Sequence, residues 1–576
     1  MNTFSSIKNS LFDRLLSLIE VRTPSDRLIL RILFFTILFS GIWLAYSLNE
    51  KFSANTPIQG GVLKEGIVGT PRFINPALAI TRADQDVVAL VYSGLMRIGA
   101  EGVLVPDIAE SITTSEDGLT YNILIRKDIR FHDGTPLTAR DVVYTISLIQ
   151  NPDLKSPLRG NWSDVTVEEI GEYELNVVLK DSYAPFTENF LVGILPAHLF
   201  EAIRVEQLPF SQLNTEPIGS GPFSLANAKR DPSGLIESYT LQAYRDNSTA
   251  PEIDTLELHF FTEEAELLQQ LKQGLIDSSA YVPNSNLAEL TESGNFKIIS
   301  EPLPRIFGIF FNQNKSVALR DPAVREALDI ALDRDEIVQK TMSGYGVPIA
   351  SPIATLVDTI ESSEGSKATT SEVQSVTSLL DSAGWLKNNL GLLEKQVDGT
   401  AETLSFTLRT SNTPFFSEIS EIVVEDWKAV GVDVAVEQFE QTDLVQSVIR
   451  PRDFEALLFG LDMNRSGDLY PFWHSSQKDD PGLNIAQYTN LTVDTLLETA
   501  RTEQDEGARS QALSEASALI AKERPALFLF KPRMTYVVKN GIIVGPMNNV
   551  AKPSDRFSNI DTWYTDSDNL WNIFKN

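Results

Sequence analysis

Cysteine does not occur anywhere in the 576 residues. Its absence excludes disulfide bridges, thiolate metal sites, a cysteine nucleophile and a lipid-modified N-terminal cysteine in one step. Histidine is scarce. His132, His198, His259 and His474 are the four, and none stands four residues from another, which argues against direct metal ligation by a helical pair. No Gly-x-Ser-x-Gly elbow is present, so the run Trp473-His474-Ser475-Ser476 lacks the context of a serine nucleophile. Positive charge is in deficit: 48 Lys and Arg stand against 78 Asp and Glu, a formal net charge of -30. Such a chain is repelled by nucleic acid and by anionic lipid surfaces, so neither is expected as a partner.

What remains is ample for folding. Hydrophobic residues make up 42% of the chain, and its length exceeds what one core usually supports, so two or three lobes are expected. A hydrolase working through paired acids has no support beyond the number of Asp and Glu, because the separation of such a pair is not visible in sequence.

One uncharged run, Ile32–Leu48, follows a segment carrying Lys8, Arg14, Arg22, Arg27 and Arg31. Its length is at the lower end of what spans a bilayer, and the basic flank places residues 1–31 in the cytoplasm and everything after Leu48 outside. Residues 32–48 are therefore expected to be a retained anchor; Ala45-Tyr46-Ser47 offers the competing reading of a cleaved signal. The amphipathic stretch Leu11, Phe12, Leu15, Leu16 and Ile19 suits an in-plane helix. Residues 49–59 form a polar linker with Pro57, and the Ser/Thr/Glu-rich segment Ile360–Ser375 reads as a long surface loop.

Beyond the linker, strand and helix signals alternate. Residues 61–69 open with a strand-like run, and Tyr121, Ile123 and Ile125 alternate before a turn at Asp133-Gly134. Thr138 with Asp141 makes a capping box for a helix through Val142, Ile146 and Ile149. In residues 319–339, Asp321 caps and Pro322 starts a helix whose Val324, Ala327, Leu328, Ala331 and Leu332 share one face. Asp333 and Glu336 then restart a second helix.

The pieces VYSGLMRIGAEGVLVPDIAESITTSEDGLTYNILIRKDIRFHDGTPLTARDVVYTI, IGSGPFSL, FFNQNKSVALRDPAVREALDIALDRDEIV, LLDSAGW and FWHSSQ...NIAQYTN stand in an order that resembles the bacterial family 5 solute-binding proteins, the extracytoplasmic peptide-binding components of ABC importers. The resemblance runs from about Gly60 to Gly545 and implies a periplasmic-binding-protein-like type II α/β fold: two lobes joined by hinge crossings, an extra domain on the first lobe, and one N-terminal transmembrane helix ahead of them. Lobe I takes residues 60–98, 217–304 and 525–576, the extra domain 99–216, and lobe II 305–524. The crossings fall near IFGIFFN at 306–312 and PALFLFKP at 525–532, apolar runs of buried-strand length.

Such a protein is implied to be a monomer that binds peptide, hands it to permease subunits and performs no chemistry of its own; no cofactor is implied. A ligand touching both lobes favours the closed form by its differential affinity for it. Candidate ligand-facing residues implied by the resemblance are Ile80, Thr81 and Arg82 after the Asn75-Pro76 turn, Leu158, Arg159 and Trp162 after Ser156-Pro157, and Asn312 at the end of the first crossing. Asp462, or else Asp468, would receive the peptide ammonium, with Trp473 and His474 just beyond. Arg82 or Arg159 suits a carboxylate. Another cargo on the same scaffold, a nickel chelate, haem, an oligosaccharide or an opine, is the alternative, as is a receptor role relayed by the anchor.

Overall fold

The computed structural model describes residues 23–247, 250–353, 370–389, 391–463 and 465–571. The basic N-terminal segment through Arg22, the amphipathic stretch Leu11–Ile19 and residues 360–369 of the expected loop lie outside the described residues. The chain divides into two compact units, Met1–Ile58 with Asp566–Asn576, and Gln59–Thr565.

In the smaller unit a helix spans Pro24–Phe52. The apolar side chains of Phe35, Phe39 and Trp43 on it are 63%, 68% and 65% exposed. The expected anchor Ile32–Leu48 lies on this helix, with Ala45 and Leu48 outside the residues whose side chains are described. Among the described residues no helix is long and apolar enough to cross a membrane. Residues Ser53–Pro57, read from composition as linker, are extended and pair antiparallel with Ser567–Trp571.

The larger unit is built on one twelve-stranded mixed sheet. In chain order its strands are β1 Val62–Val68, β2 Phe223–Arg230, β3 Ile236–Ala243, β4 Thr255–Phe261, β5 Ser278–Ser279, β6 Phe296–Pro302, β7 Arg305–Phe311, β8 Gly346–Pro348, β9 Ser405–Ser411, β10 Asp433–Phe439, β11 Ala456–Asp462 and β12 Ala526–Lys539. Their order across the sheet is β10-β9-β11-β7-β12-β5-β1-β4-β3-β2, with β6 and β8 also paired to β12. The 14-residue β12 is the shared element. Its first part pairs with β7 and β8, its last part with β5 and β6. A separate four-stranded antiparallel sheet holds Ala109–Thr114, Thr120–Ile125, Glu174–Leu179 and Val165–Gly171.

Apolar residues gather in three clusters. One takes Leu63 through Phe296 together with Met534 through Trp563, so the C-terminal segment completes the core of the first half. The other two lie on opposite faces of β7, β11 and the start of β12. Phe307, Ile309, Phe311, Ala456 and Leu458 enter one; Ile306, Phe310, Leu457 and Leu461 enter the other. This is the two-residue period of a strand buried on both faces, and it explains why IFGIFFN carries no polar alternation. In β12 the alternation breaks at Phe530, which joins Leu529 in one cluster, where the pairing with β7 shifts register between Phe307 and Gly308. Each of these large side chains contributes roughly 1.5–3 kcal/mol by leaving water.

The local signals fold as their chemistry dictates. Thr138 and Asp141 form the capping box of the helix Ala139–Gln150, with the Thr138 N–H donating to the Asp141 carboxylate at 2.9 Å. Asp321 accepts from the Ala323 N–H at 3.0 Å and Pro322 opens the helix Pro322–Ile330, whose Val324, Ala327 and Leu328 are buried. Asp333 accepts from the Glu336 N–H at 2.8 Å and starts Arg334–Met342. The expected loop is corrected at its end: Thr370–Ser375 begin a helix running to Ser382, which Val376 and Leu380 anchor in a core cluster. Polar composition concealed the spacing of those two side chains.

Candidate functional site

A cavity of about 960 Å³ lies within the larger unit, and segments from both halves of the sheet form its walls. One wall is the helix Arg82–Val91. Thr81 caps it, accepting from the Asp84 N–H at 3.1 Å, and the Asp84 carboxylate in turn receives the Arg72 and Phe73 N–H groups at 2.7 and 2.9 Å. The chain entering the helix is thereby fixed, and Gln85, Val88 and Ala89 face the cavity. Its other side presents Asp86 to Arg556, which stands on the 3₁₀ helix Pro553–Thr562. That second helix also lines the cavity, with Ser554, Ser558 and Asp561.

Arg556 is fully buried and clamps the two helices to the sheet. It donates to Asp86 at 2.9 and 2.7 Å and to Glu65 of β1 at 3.1 and 2.9 Å. Tyr281 donates to Asp86 at 2.6 Å and Tyr536 to Glu65 at 2.9 Å, Ser278 also donates to Glu65, and the guanidinium lies 3.9 Å from the Phe557 ring. Burial raises the Glu65 carboxyl, with Arg556 opposing it. Every polar group of this cluster has a partner.

The rear of the cavity depends on close backbone approach. Gly219 and Gly221 of the IGSGPFSL stretch lie against Val91 and Tyr92, where a Cβ on either would collide with the Val91 carbonyl. His132 seals this turn. The Gly219 N–H donates to its Nδ1 at 3.3 Å, its Nε2 donates to the Gly221 carbonyl at 3.0 Å, and burial pushes its pKa down to about 4.

The opposite wall is the loop that follows β11. Asp462, at the strand end, sits opposite Arg305 and pairs with it through both nitrogens of the fork, one at 2.8 Å. Asp468 is buried. It receives Arg501 at 3.0 and 2.8 Å, the Tyr183 hydroxyl at 3.3 Å and the Tyr470 N–H at 3.0 Å. The Arg501 guanidinium is sandwiched near the rings of Tyr470 and Tyr183, 4.0 and 5.0 Å from their centroids. Arg465 donates to Asp555 and, at 2.9 Å, to the Asn549 carbonyl. Residues of the second half thus bond across the cavity to Tyr183, Asn549 and Asp555 of the first.

The sequence candidates divide. Leu158, Trp162, Asp462 and Asp468 line the cavity. Trp162 is buried against Phe186, with ring centroids 5.2 Å apart. Ile80, Thr81 and Arg82, at the entry to the wall helix, are not on the lining, where Ala79 and Gln85 stand instead. Arg159 donates to the Gln150 carbonyl at 3.1 Å and is exposed outside the lining. Asn312 is buried behind β7, donating to the Arg452 carbonyl at 2.9 Å. Trp473 packs within a core cluster beside Phe310 and Phe528. His474 stacks on Tyr470 at 4.1 Å, and the neighbouring Pro471 and Phe472 reach the cavity in their place. Tyr183, Arg465, Arg501 and Asp107 went unread. Only Asp107 stood in a stretch quoted above, VLVPDIAE, and nothing local marked it as a wall residue.

Asp107 lines the cavity, and burial pushes its carboxyl up to about 6, with Arg97 opposing and Asp561 adding to the rise. Burial also raises Glu188 on the same lining. Among the described residues no group of three or more His, Asp or Glu gathers to hold a metal ion. The site offers carboxylates, guanidinium groups, hydroxyls and aromatic faces to a guest that fits inside.

The family model described as bacterial extracellular solute-binding proteins, family 5 Middle, matches residues 103–481. The chain belongs to that family. It is 30% identical over 493 residues to the oligopeptide-binding protein AppA of Bacillus subtilis, covering 84% of this chain and 88% of that protein. The solved structure of that protein in complex with a nonapeptide aligns with TM-score 0.63 and 29% identity over 88% of this chain and 99% of the other. NikZ from Campylobacter jejuni, solved in complex with Ni(L-His), aligns with TM-score 0.62 and 25% identity over 87% and 99%.

Proposed function

We propose that this family 5 member captures peptides in the 960 Å³ cavity and delivers them, outside the cytoplasmic membrane, to the permease of an ABC importer. The observation that carries the reading is that cavity, large enough for a peptide segment and walled by both halves of the sheet, in a chain so similar to an oligopeptide-binding protein. The proposed lobes are residues 60–98, 217–304 and 525–576 as lobe I, 99–216 as its extra domain and 305–524 as lobe II; the core from Met534 onward supports the C-terminal return to lobe I, while Ala526–Phe530 pack with lobe II. Closure bends the chain at Leu303-Pro304 and inside β12 near Pro532, the two places where it passes between core clusters. Asp462 and Asp468, each paired with an Arg on the lining or beside it, are the proposed partners of a peptide ammonium, and Leu158 and Trp162 the proposed apolar wall. The guest leaves unchanged, as binding without chemistry requires.

The N-terminal helix holds the protein at the membrane as a monomer. Support comes from the uncharged run Ile32–Leu48 behind its basic flank and from the exposure of Phe35, Phe39 and Trp43. Membrane fractionation of the full chain against one lacking residues 1–48 tests this; a full chain that stays in the soluble fraction would remove the anchor.

The function is tested by thermal unfolding of the full chain with peptide pools of defined length and their N-acetylated copies. Ligand at a hundred times its dissociation constant stabilises by about 2.7 kcal/mol. A shift that vanishes on acetylation supports the carboxylate clamp, and one that survives keeps peptide cargo without the clamp. Silence with peptides and a shift with a nickel–histidine complex would replace peptide by chelate.

A further inference from the structure

We propose that the cavity selects cationic peptides, those carrying Lys or Arg side chains, over neutral and acidic ones of the same length; this rests on the peptide reading above. The charges on the wall do not balance. Arg465 is spent on Asp555, Arg501 on Asp468, and Asp462 is held by Arg305. Asp107, Asp164, Asp181, Glu188 and Asp561 line the same space, and none of them has an ion-pair partner among the described residues. Facing them, only Arg97 and Lys552 on the lining are cations outside an ion pair among the described residues.

A neutral guest would leave these carboxylates as they are, and an acidic one would add to their repulsion. A guest ammonium or guanidinium removes it. Burial already raises the carboxyls of Asp107 and Glu188, against the pull of Arg97 and Ser93 on the first and of Arg465 and Ser466 on the second. A second observation points the same way. The Ser554 hydroxyl, on the lining between Lys552 and Asp555, is 2% exposed and its Oγ has no hydrogen-bond partner. A buried hydroxyl in that condition has both its proton and its lone pairs unused, and a Lys or Arg head brings donors for the lone pairs. The chain's net charge of -30 adds long-range attraction for such guests, and this lifts the association rate.

The experiment is calorimetric titration of the full-length protein with pentapeptides of Ala in which Lys, Gln or Glu is placed at each position in turn. The expected result is binding at least tenfold tighter for the best Lys peptide than for its Gln counterpart, with Glu weakest, and a Lys advantage that shrinks at high salt. In the doubly substituted D107N/E188Q protein the ratio of Lys-peptide to Gln-peptide affinity is expected to fall severalfold, and the melting temperature of the unliganded variant separates lost attraction from lost folding; an unchanged ratio in a folded variant overturns the role of these carboxylates. Equal affinity for Lys, Gln and Glu peptides overturns the selectivity and leaves peptide capture standing. Failure of all of them to bind, beside a shift with another cargo, overturns both.

Discussion

Two groups of charges meet at the 3₁₀ helix Pro553–Thr562, which carries Arg556 of one and Asp561 of the other, and they are built on opposite rules. Behind the wall, Arg556, Glu65 and Asp86 are fully buried, and every donor and acceptor is matched. On the wall, Asp107, Glu188 and Asp561 stand without ion-pair partners among the described residues, beside pairs such as Arg501–Asp468 that are complete. Matched charge fixes geometry, because two helices and a strand can satisfy Arg556 in only one arrangement. Unmatched charge costs stability and keeps bonding capacity for something that arrives later.

The contrast can be broken at its strongest point first. Arg556→Met leaves Glu65 and Asp86 buried without their cation, and removing one partner of such a cluster costs about 3–5 kcal/mol. Urea unfolding should show that loss; a cost below 1 kcal/mol would mean that the cluster is not what holds the wall. Asp468→Asn weakens the bonds to Arg501 and Tyr183, with an expected cost of roughly 1.5–3 kcal/mol for a charged hydrogen bond. Peptide affinity should fall with it, which the Arg556 substitution at permissive temperature should not reproduce in the same proportion.

The unmatched group predicts the reverse sign. Burial raises the Asp107 carboxyl in the folded chain from the ordinary 3.8 to about 6, so its favourable contribution is full below pH 3.8 and lost as pH rises through 6. Asp107→Asn should therefore be more stable than the parent at pH 7.5, and the gap should close as pH falls below 4. Thermal melts across that range read it, and a destabilised variant at pH 7.5 would show that Asp107 is matched after all. Asp462→Asn is the smallest case. Its pair with Arg305 is 72% exposed on the Asp side, and such pairs are worth about 0.2–1 kcal/mol, so the melting temperature should hardly move even if ammonium binding is lost.

How much of this was legible follows from how far apart the partners lie in the chain. The cap at Asp321, the capping box at Thr138 and the two-sided burial of β7 rest on neighbours within a few residues or on strand period, and those patterns are written locally. Asp468 was readable as a candidate because it follows a strand end. Its partners Tyr183 and Arg501 were not, since one lies in a turn of the first half and the other on a helix whose spacing reports only its buried face. The candidates that missed the lining did so within a helical turn, save Asn312, which is buried against Arg452 far from it. Thr81 caps the helix that Gln85 and Val88 present to the cavity, and His474 stands behind Phe472. A turn locates a wall; which side chain faces inward depends on packing that no short stretch encodes.

The closing of the first core by Met534 through Trp563 carries a consequence for biogenesis. A ribosome delivers Leu63 and Glu65 early, and Tyr536, Arg556 and Trp563 almost last. Until that tail emerges, the first half lacks a central strand, its buried cation and a Trp of its core, whereas residues 306–530 hold nearly all of theirs. Nascent chains stalled before Ala526 are thus expected to remain protease-sensitive through the first half, loose enough to thread a translocation pore, and to acquire resistance there only once the last strand and helix are free to dock.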